Sequence, residues 1–448
     1  MNNIFDEFES TNYSDWIKKI EIDLKGKPFD VLASNPEPDL EIVAYHHSDN
    51  APEENGNTTS RNLSRSNNNW KIRQHFEGKT TQNKNLLAAL NDGVNAIGIS
   101  IDTTTDYTSL TKGILFDHIH SDIAFSELET AIAFKSEPQS ILNFDVIGLN
   151  ALEGKSTISL ENHYEFFQRH PENKSIWVSG TMYGSAGAST VQELACTIAH
   201  LNEYIQFLSD QGVTLKEINE KITLELSVNE NYFVNIAKFR VIRDLVAMVF
   251  KGHQANFEAS TPSIFAKTNI RHLAKNDKNN NALRETTQAM SAVIGGCDVL
   301  TVDYGRFGTE TEVRRFERIA KNIQLVLKEE AYLDKVVDPS GGSYYIESIT
   351  NQLLNKSWQL FLEIENNGGL LESLKDNTIQ NRIIENKNKL VADLLSNKRT
   401  FLGVNKHPNG MEEWIEPINN SSEALTDFTP LTPFYLENHF SKTVADHE

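Results

Sequence analysis

From Trp70 onward, short apolar runs alternate with amphipathic stretches, and this alternation restricts the chain more than any other feature. A strand, an amphipathic helix and a second strand make the unit of a parallel sheet. The runs are NAIGISID (95–102), GILFDHI (113–119), LNFDVIGL (142–149), SIWVSG (175–180), ITLELSV (222–228), PSIFAK (262–267) and CDVLTVDY (297–304). Helical periodicity fills most of the intervals. It is clearest over 188–210, where Val191, Leu194, Ala195, Ile198, Leu201, Ile205 and Leu208 recur at helical spacing. Further helices are expected over 231–251, 282–294, 310–330, 345–366 and 371–397. Seven strands ahead of a helical tail suit an α/β fold, a (β/α)8 TIM barrel. A doubly wound sheet uses the same alternation and is the competing fold.

Residues 1–69 read as an N-terminal arm and polar linker. Trp16, Ile17, Ile20 and Ile22 give a short helical stripe, and DLEIVAYH (39–46) suits a strand. Residues 48–69 carry almost no apolar side chains, so burial cannot offset their ordering entropy. They read as an exposed loop, with Arg61 and Arg65 either solvated or touching an anion. The barrel is expected over 70–400. The remainder, 401–448, contains the Pro and Gly punctuation of HPNGMEEW and LTDFTPLTPF and reads as a short tail.

Charge narrows the function. Lys and Arg number 42 against 62 Asp and Glu, a formal net charge of -20. Such a chain is a poor match for phosphate backbones or anionic membranes. Its two cysteines, Cys196 and Cys297, are too few for a disulfide framework or a cysteine zinc site, and read as buried free thiols. No apolar run reaches the ~18 residues that span a bilayer. The start, MNNIFDEFESTNYSDWIKKI, is acidic where a signal peptide is basic, so a cytoplasmic protein is expected.

No phosphate-binding loop, dinucleotide fingerprint, nucleophile elbow or zinc-helix motif occurs. Gly180, Gly184 and Gly187 lie between a strand and a helix, where glycines either face an anion at the helix N-terminus or allow tight packing. Asp117, His118 and His120 are of metal-ligating type, and alternation on a strand turns both histidines one way. Structural hydrogen bonding is the commoner use of such residues, and no metal is expected. Arg314, Arg315, Arg318 and Lys321 share one helix, as a solvated face or a small basic cluster.

RIAKNIQLVLKEEAYLDKVVDPSGGSYYIESIT (318–350) closely resembles the adenosylcobalamin-dependent methylmalonyl-CoA mutase family. The hallmark lies in Asp338, Pro339, Gly341, Gly342 and Tyr344. Other blocks agree in order: NNWKIRQHFEG (68–78) through Trp70, Ile72, Arg73 and Gln74; SIWVSGTMYGSAGA (175–188); NENYFVNIAKFRVIRDL (229–245) through Phe233, Ala237, Lys238 and Arg240; and FLGVNKH (401–407). The resemblance implies a (β/α)8 barrel that threads an acyl-CoA along its axis. It also implies a separate cobalamin domain, cleavage of a cobalt–carbon bond, and rearrangement between methylmalonyl-CoA and succinyl-CoA.

The sequence departs from the family where that chemistry belongs. Met182 stands at the position of the catalytic histidine, and a thioether donates no hydrogen bond. An ungapped count puts Thr157 where a carboxylate-clamping arginine belongs. DVLTV places Asp298 and Thr301 at a Gln and a His position, and Tyr107 is the candidate for the radical-shielding tyrosine. None of the thirteen histidines has Asp two residues before it, so the cobalamin signature D-x-H-x-x-G is absent and no cobalamin-binding domain is expected.

The resemblance therefore implies the small, non-catalytic subunit of a heterodimeric mutase of propionate metabolism. It would bind no cofactor itself and would stabilise a large subunit that carries adenosylcobalamin, with the arm wrapped on that partner. Two alternatives stand beside it. One is the barrel half of a split acyl-CoA mutase that takes its cobalamin domain from another chain. The other is a non-enzymatic acyl-CoA binding partner with a vestigial site.

Overall fold

In a computed structural model the described residues are 12–50, 67–135, 137, 139–255, 262–305, 307–409, 415 and 426–440. Arg61 and Arg65 lie outside them. Eight strands form one sheet among these residues: β1 (Lys71–Glu77), β2 (Ala96–Ile101), β3 (His120–Phe125), β4 (Ile141–Asn143), β5 (Ile176–Ser179), β6 (Ile222–Val228), β7 (Ser263–Thr268) and β8 (Val299–Thr301). Their order is β4-β3-β2-β1-β8-β7-β6-β5, and each ladder is parallel. A single bridge from Ile141 to Lys174, with Leu142 N–H donating to the Lys174 carbonyl at 2.8 Å, brings β4 to the lead-in of β5. The result is a nearly closed (β/α)8 barrel with helices around it, not the doubly wound sheet.

The expected strand at 113–119 is instead a turn, with Gly113 at φ 83° and a short 3-10 turn at Phe116–His118. The strand lies in the next segment, His120–Phe125. Its opening His-Ser-Asp looks polar, yet Ser121 and Asp122 enter buried hydrogen bonds with Ser140 and Arg73, and the His120 ring meets Phe265. The 142–149 run splits because Asp145 accepts the Gly148 N–H at 3.0 Å and starts the helix Val146–Glu153. β1 is the eighth strand, in the WKIRQHFE block. No strand forms over 39–46, where Ile42 instead bridges Ser34. The 371–397 stretch breaks at Asn377 (φ 65°) into Gly369–Lys375 and Thr378–Leu395.

The main core lies between the outer face of the barrel and its helices. Leu194, Ile198, Leu201 and Ile205 of Thr190–Asp210 meet it, as do Phe239, Ile242 and Val246 of Tyr232–Gly252. Each such side chain contributes about 1.5–3 kcal/mol by burial. The C-terminal segment returns to the barrel. Phe401, Val404, Phe434, Leu436 and Phe440 pack with Leu390, Leu394 and Ala274, and the Glu437 carboxylate accepts the N–H groups of Lys275 and Asn276. Both cysteines are buried and neither is in a disulfide, and burial pushes the Cys196 thiol up to about 12, where it is inert. The arm forms the helix Tyr13–Asp23, none of whose residues is buried. Trp16 instead stacks on Tyr45 at 4.7 Å and meets Phe29 edge-on at 5.9 Å.

Candidate functional site

Strand alternation sends every second side chain into the barrel, and here those positions hold a packed, charged interior. Arg73 of β1 reaches past β2 to Asp122 of β3, with Nε to Oδ1 at 2.7 Å and Nη2 to Oδ2 at 2.6 Å. Its Nη1 donates to Thr301 of β8 at 2.9 Å, and its guanidinium stands 5.9 Å from the Phe265 ring of β7. Burial pulls the Arg73 pKa down, but the Asp122 carboxylate outweighs it and the net shift is upward. Beneath this pair, Ala96, Ile141, Trp177, Phe265 and Val299 form their own cluster, drawn from β2, β4, β5, β7 and β8. Trp177 and Phe265 are each 1% exposed, with ring centroids 4.8 Å apart. Side chains from five strands around the barrel meet only across its axis, so this cluster fills the lumen.

At the C-terminal mouth, Lys267 pairs with Asp303 at 3.4 Å, and Thr181 donates to Glu225. The Asp303 carboxylate, opposed by burial, holds the Lys267 ammonium above its ordinary pKa. A cavity of about 310 Å³ opens here beside Arg73, His75, Lys267, Thr301 and Asp303. Opposite charges balance around it, so the mouth offers an anionic substrate no excess of positive charge.

The positions singled out from sequence do not converge. Met182 sits on the short helix Thr181–Ala186, 4% exposed, within the main apolar core. Thr157 lies in an exposed loop, where its N–H meets Asn150 Oδ1 at 3.2 Å. Asp298 precedes β8 at the opposite end from the mouth. Its carboxylate accepts from Ile264 N–H at 2.8 Å and from Arg243 at 3.2 Å. Thr301 alone of this set faces the lumen charges. Tyr107 packs against Phe134 at 4.8 Å outside the barrel, and burial raises its pKa.

Asp117 and His118 are exposed on their turn, while His120 meets the Phe265 ring at 5.5 Å. The two histidines therefore do not share a strand face. Among the described residues no group of three or more His, Cys, Asp or Glu is placed to hold a metal. The glycine-rich turn is built for close packing. A Cβ at Gly184 would lie 2.2 Å from Ser227 Oγ, and Gly187 takes φ 118°. The basic helix is paired, Arg314 with Glu310 and Lys321 with Asp92, both at 2.6 Å.

The residues of the remaining sequence blocks are held in packing and polar contacts. Trp70 is buried beneath Lys328, whose Nζ donates to the Trp70 carbonyl at 2.8 Å, and Gln74 donates to Glu317. Lys238 and Glu193 form a wholly buried ion pair at 2.9 Å. Arg240 holds Asp338 at 3.0 Å and Glu347 at 2.6 Å, which fixes the turn through Pro339, Gly341 and Gly342 ahead of Tyr344. Asp338 takes φ 44° there, a left-handed conformation secured by that ion pair. The lumen residues Asp122, Trp177, Glu225, Phe265 and Lys267 were missed by motif reading. Their only signal was position on alternating strands.

The fold and this interior define a (β/α)8 barrel whose axis is closed by its own side chains. The methylmalonyl-CoA mutase family profile matches residues 154–427, and the chain belongs to that family. It is 29% identical over 449 aligned residues to the methylmalonyl-CoA mutase small subunit of Porphyromonas gingivalis, covering 91% of this chain and 72% of that one. It is 31% identical over 290 residues to a probable methylmalonyl-CoA mutase small subunit of Mycobacterium tuberculosis, covering 61% and 45%. The P. gingivalis large subunit matches at 30% over 263 residues, covering 58% and 36%. The chain thus spans less than half the length of two of these three relatives.

Proposed function

We propose that this chain is the small subunit of a methylmalonyl-CoA mutase, catalytically silent itself and stabilising a separate large subunit. In that complex the large subunit holds adenosylcobalamin and interconverts methylmalonyl-CoA and succinyl-CoA. The observation that carries the reading is the Trp177–Phe265 contact beneath the Arg73–Asp122 pair, which occupies the axis along which the family threads an acyl-CoA. Met182, buried where the family places a histidine, agrees with it.

The residues present do not fit the family's cofactor. Within these 448 residues no histidine follows the D-x-H pattern that supplies the lower cobalt ligand. No step is therefore assigned to this chain. Its contribution is a folded surface. Partnership is supported by the two P. gingivalis relatives, named as small and large subunits of one enzyme, and coverage of this chain is greater for the small one, 91% against 58%. Among the described residues no helix is long and apolar enough to cross a membrane. Co-expression of this chain with the large subunit of its own organism tests the proposal. The two should co-purify, and mutase turnover should fall when this chain is omitted. Separate elution with unchanged turnover contradicts it.

A further inference from the structure

The arm does not simply lead away from the barrel. Ser34 and Ile42 exchange backbone hydrogen bonds at 2.9 and 2.8 Å, closing residues 34–42 into a hairpin. Leu40 and Ile42 of that hairpin enter the main core. At its tip Glu37 is 5% exposed. One carboxylate oxygen accepts the Thr190 N–H at 2.6 Å. The other accepts Thr190 Oγ1 at 2.8 Å, Asn231 Nδ2 at 3.0 Å and Asn229 Nδ2 at 3.2 Å. Thr190 is the first residue of the 21-residue helix Thr190–Asp210, whose N-terminal amides carry partial positive charge. Asp39 accepts from Ser189 at 2.9 Å, Gln352 holds both backbone groups of Glu41, and Arg399 donates to the Pro36 carbonyl. A cavity of about 270 Å³ lies under the hairpin, lined by Ser189, Glu230, Arg271, Lys389 and Arg399.

We propose that the hairpin Ser34–Ile42 is a clasp that fastens the N-terminal arm over the β5–β7 side of the barrel mouth, and that Glu37 locks it. The carboxylate fills, within the same chain, an anion site built from Thr190, Asn229 and Asn231. Among the described residues, the hydrogen-bond partners of Glu37 all act as donors to it, which suits an anionic acceptor such as a carboxylate. The preceding helix Tyr13–Asp23 buries no residue, so the clasp carries the attachment of the arm. The inference stands on contacts within the chain and holds whether or not a large subunit binds.

The test is hydrogen exchange, read by mass spectrometry on the full chain and on Glu37→Ala, with limited proteolysis of the arm. Loss of a charge-assisted bond should speed exchange at Thr190–Glu193 and over 34–42 by ~10-fold or more, with the barrel strands unchanged. Acetate, which fits the vacated site, should restore protection where chloride at equal ionic strength does not. If Glu37→Ala does not fold, Asn231→Asp provides the second test. It sets a carboxylate against Glu37, removes no volume, and should open the hairpin without acetate rescue. Wild-type exchange in both variants overturns the clasp. Equal action of acetate and chloride overturns the carboxylate site.

Discussion

Arg73 on β1 and Asp122 on β3 meet inside the barrel through two hydrogen bonds, at 2.7 and 2.6 Å, with β2 passing between their strands. Both side chains are almost fully buried, so either one left alone is an unpaired charge in a low-dielectric interior. Arg73→Met or Asp122→Leu should each cost about 3–5 kcal/mol in urea denaturation. The double variant Arg73→Met with Asp122→Leu should recover most of that loss, because apolar replacement of a whole buried pair is often neutral. Additive losses in the double variant would show that the pair is not coupled.

Gly98 makes room for that pair. A Cβ there would lie 2.0 Å from Arg73 Nη2 and 2.5 Å from its Cζ, and the guanidinium is tied on three sides. Gly98→Ala should therefore destabilise by about 1–3 kcal/mol, the usual cost of overpacking. Ser100→Ala on the same strand loses only the bond to His75 at 2.9 Å and should cost about 1 kcal/mol. Equal midpoints for the two variants in the same denaturation series would contradict the crowding.

The Trp177–Phe265 contact is expected to act as a structural plug. Trp177→Ala should cost about 3–5 kcal/mol by thermal or urea unfolding, since the surrounding strands cannot collapse onto the space. Converting the degenerate positions should not create an enzyme. Met182→His with Thr157→Arg is expected to give no methylmalonyl-CoA turnover in the isolated chain with adenosylcobalamin added. The new arginine would stand on an exposed loop, and the new histidine would stand in the core beside a filled lumen. Measurable succinyl-CoA formation by that variant would contradict this account of the interior.

Glu285 supplies a pH test. It is 2% exposed, and burial, with Asp303 nearby, pushes its carboxyl up to about 9. The folded pKa stands above the unfolded one, so the stability this group contributes is full below about pH 4.5 and is lost as pH rises toward 9. The slope is at most about 1.4 kcal/mol per pH unit. Glu285→Gln removes it. The variant should match wild type near pH 5 and exceed it by on the order of 3 kcal/mol at pH 8. Parallel stability profiles for the two proteins between those pH values would show that Glu285 is ionised in the fold.

Much of the fold was legible in the sequence because burial there follows a simple period. Ile222–Val228 alternates, with Ile222, Leu224, Leu226 and Val228 apolar on one face, and Thr190–Asp210 repeats at helical spacing, so both emerged with their boundaries nearly correct. β3 was hidden because His120, Ser121 and Asp122 look like loop residues until their partners are known. Asp122 needs Arg73, 49 residues away, and Ser121 needs Ser140. The 142–149 run looked like one strand because nothing in its hydrophobicity marks Asp145 as a helix cap. The interior was least legible. Motif matching pointed to Met182 and Asp298, yet the lumen is decided by Trp177, Phe265 and Gly98, whose importance lies in what stands opposite them across the barrel.

Catalytic silence of this chain is decided by mutase turnover in its co-purified complex with the large subunit, with cobalamin counted per complex. One adenosylcobalamin per pair of chains is expected. Turnover should depend on the presence of this chain and be unchanged by Met182→Ala within it. Turnover by this chain alone with added adenosylcobalamin, or loss of activity in the Met182→Ala complex while assembly is intact, would contradict a catalytically silent subunit.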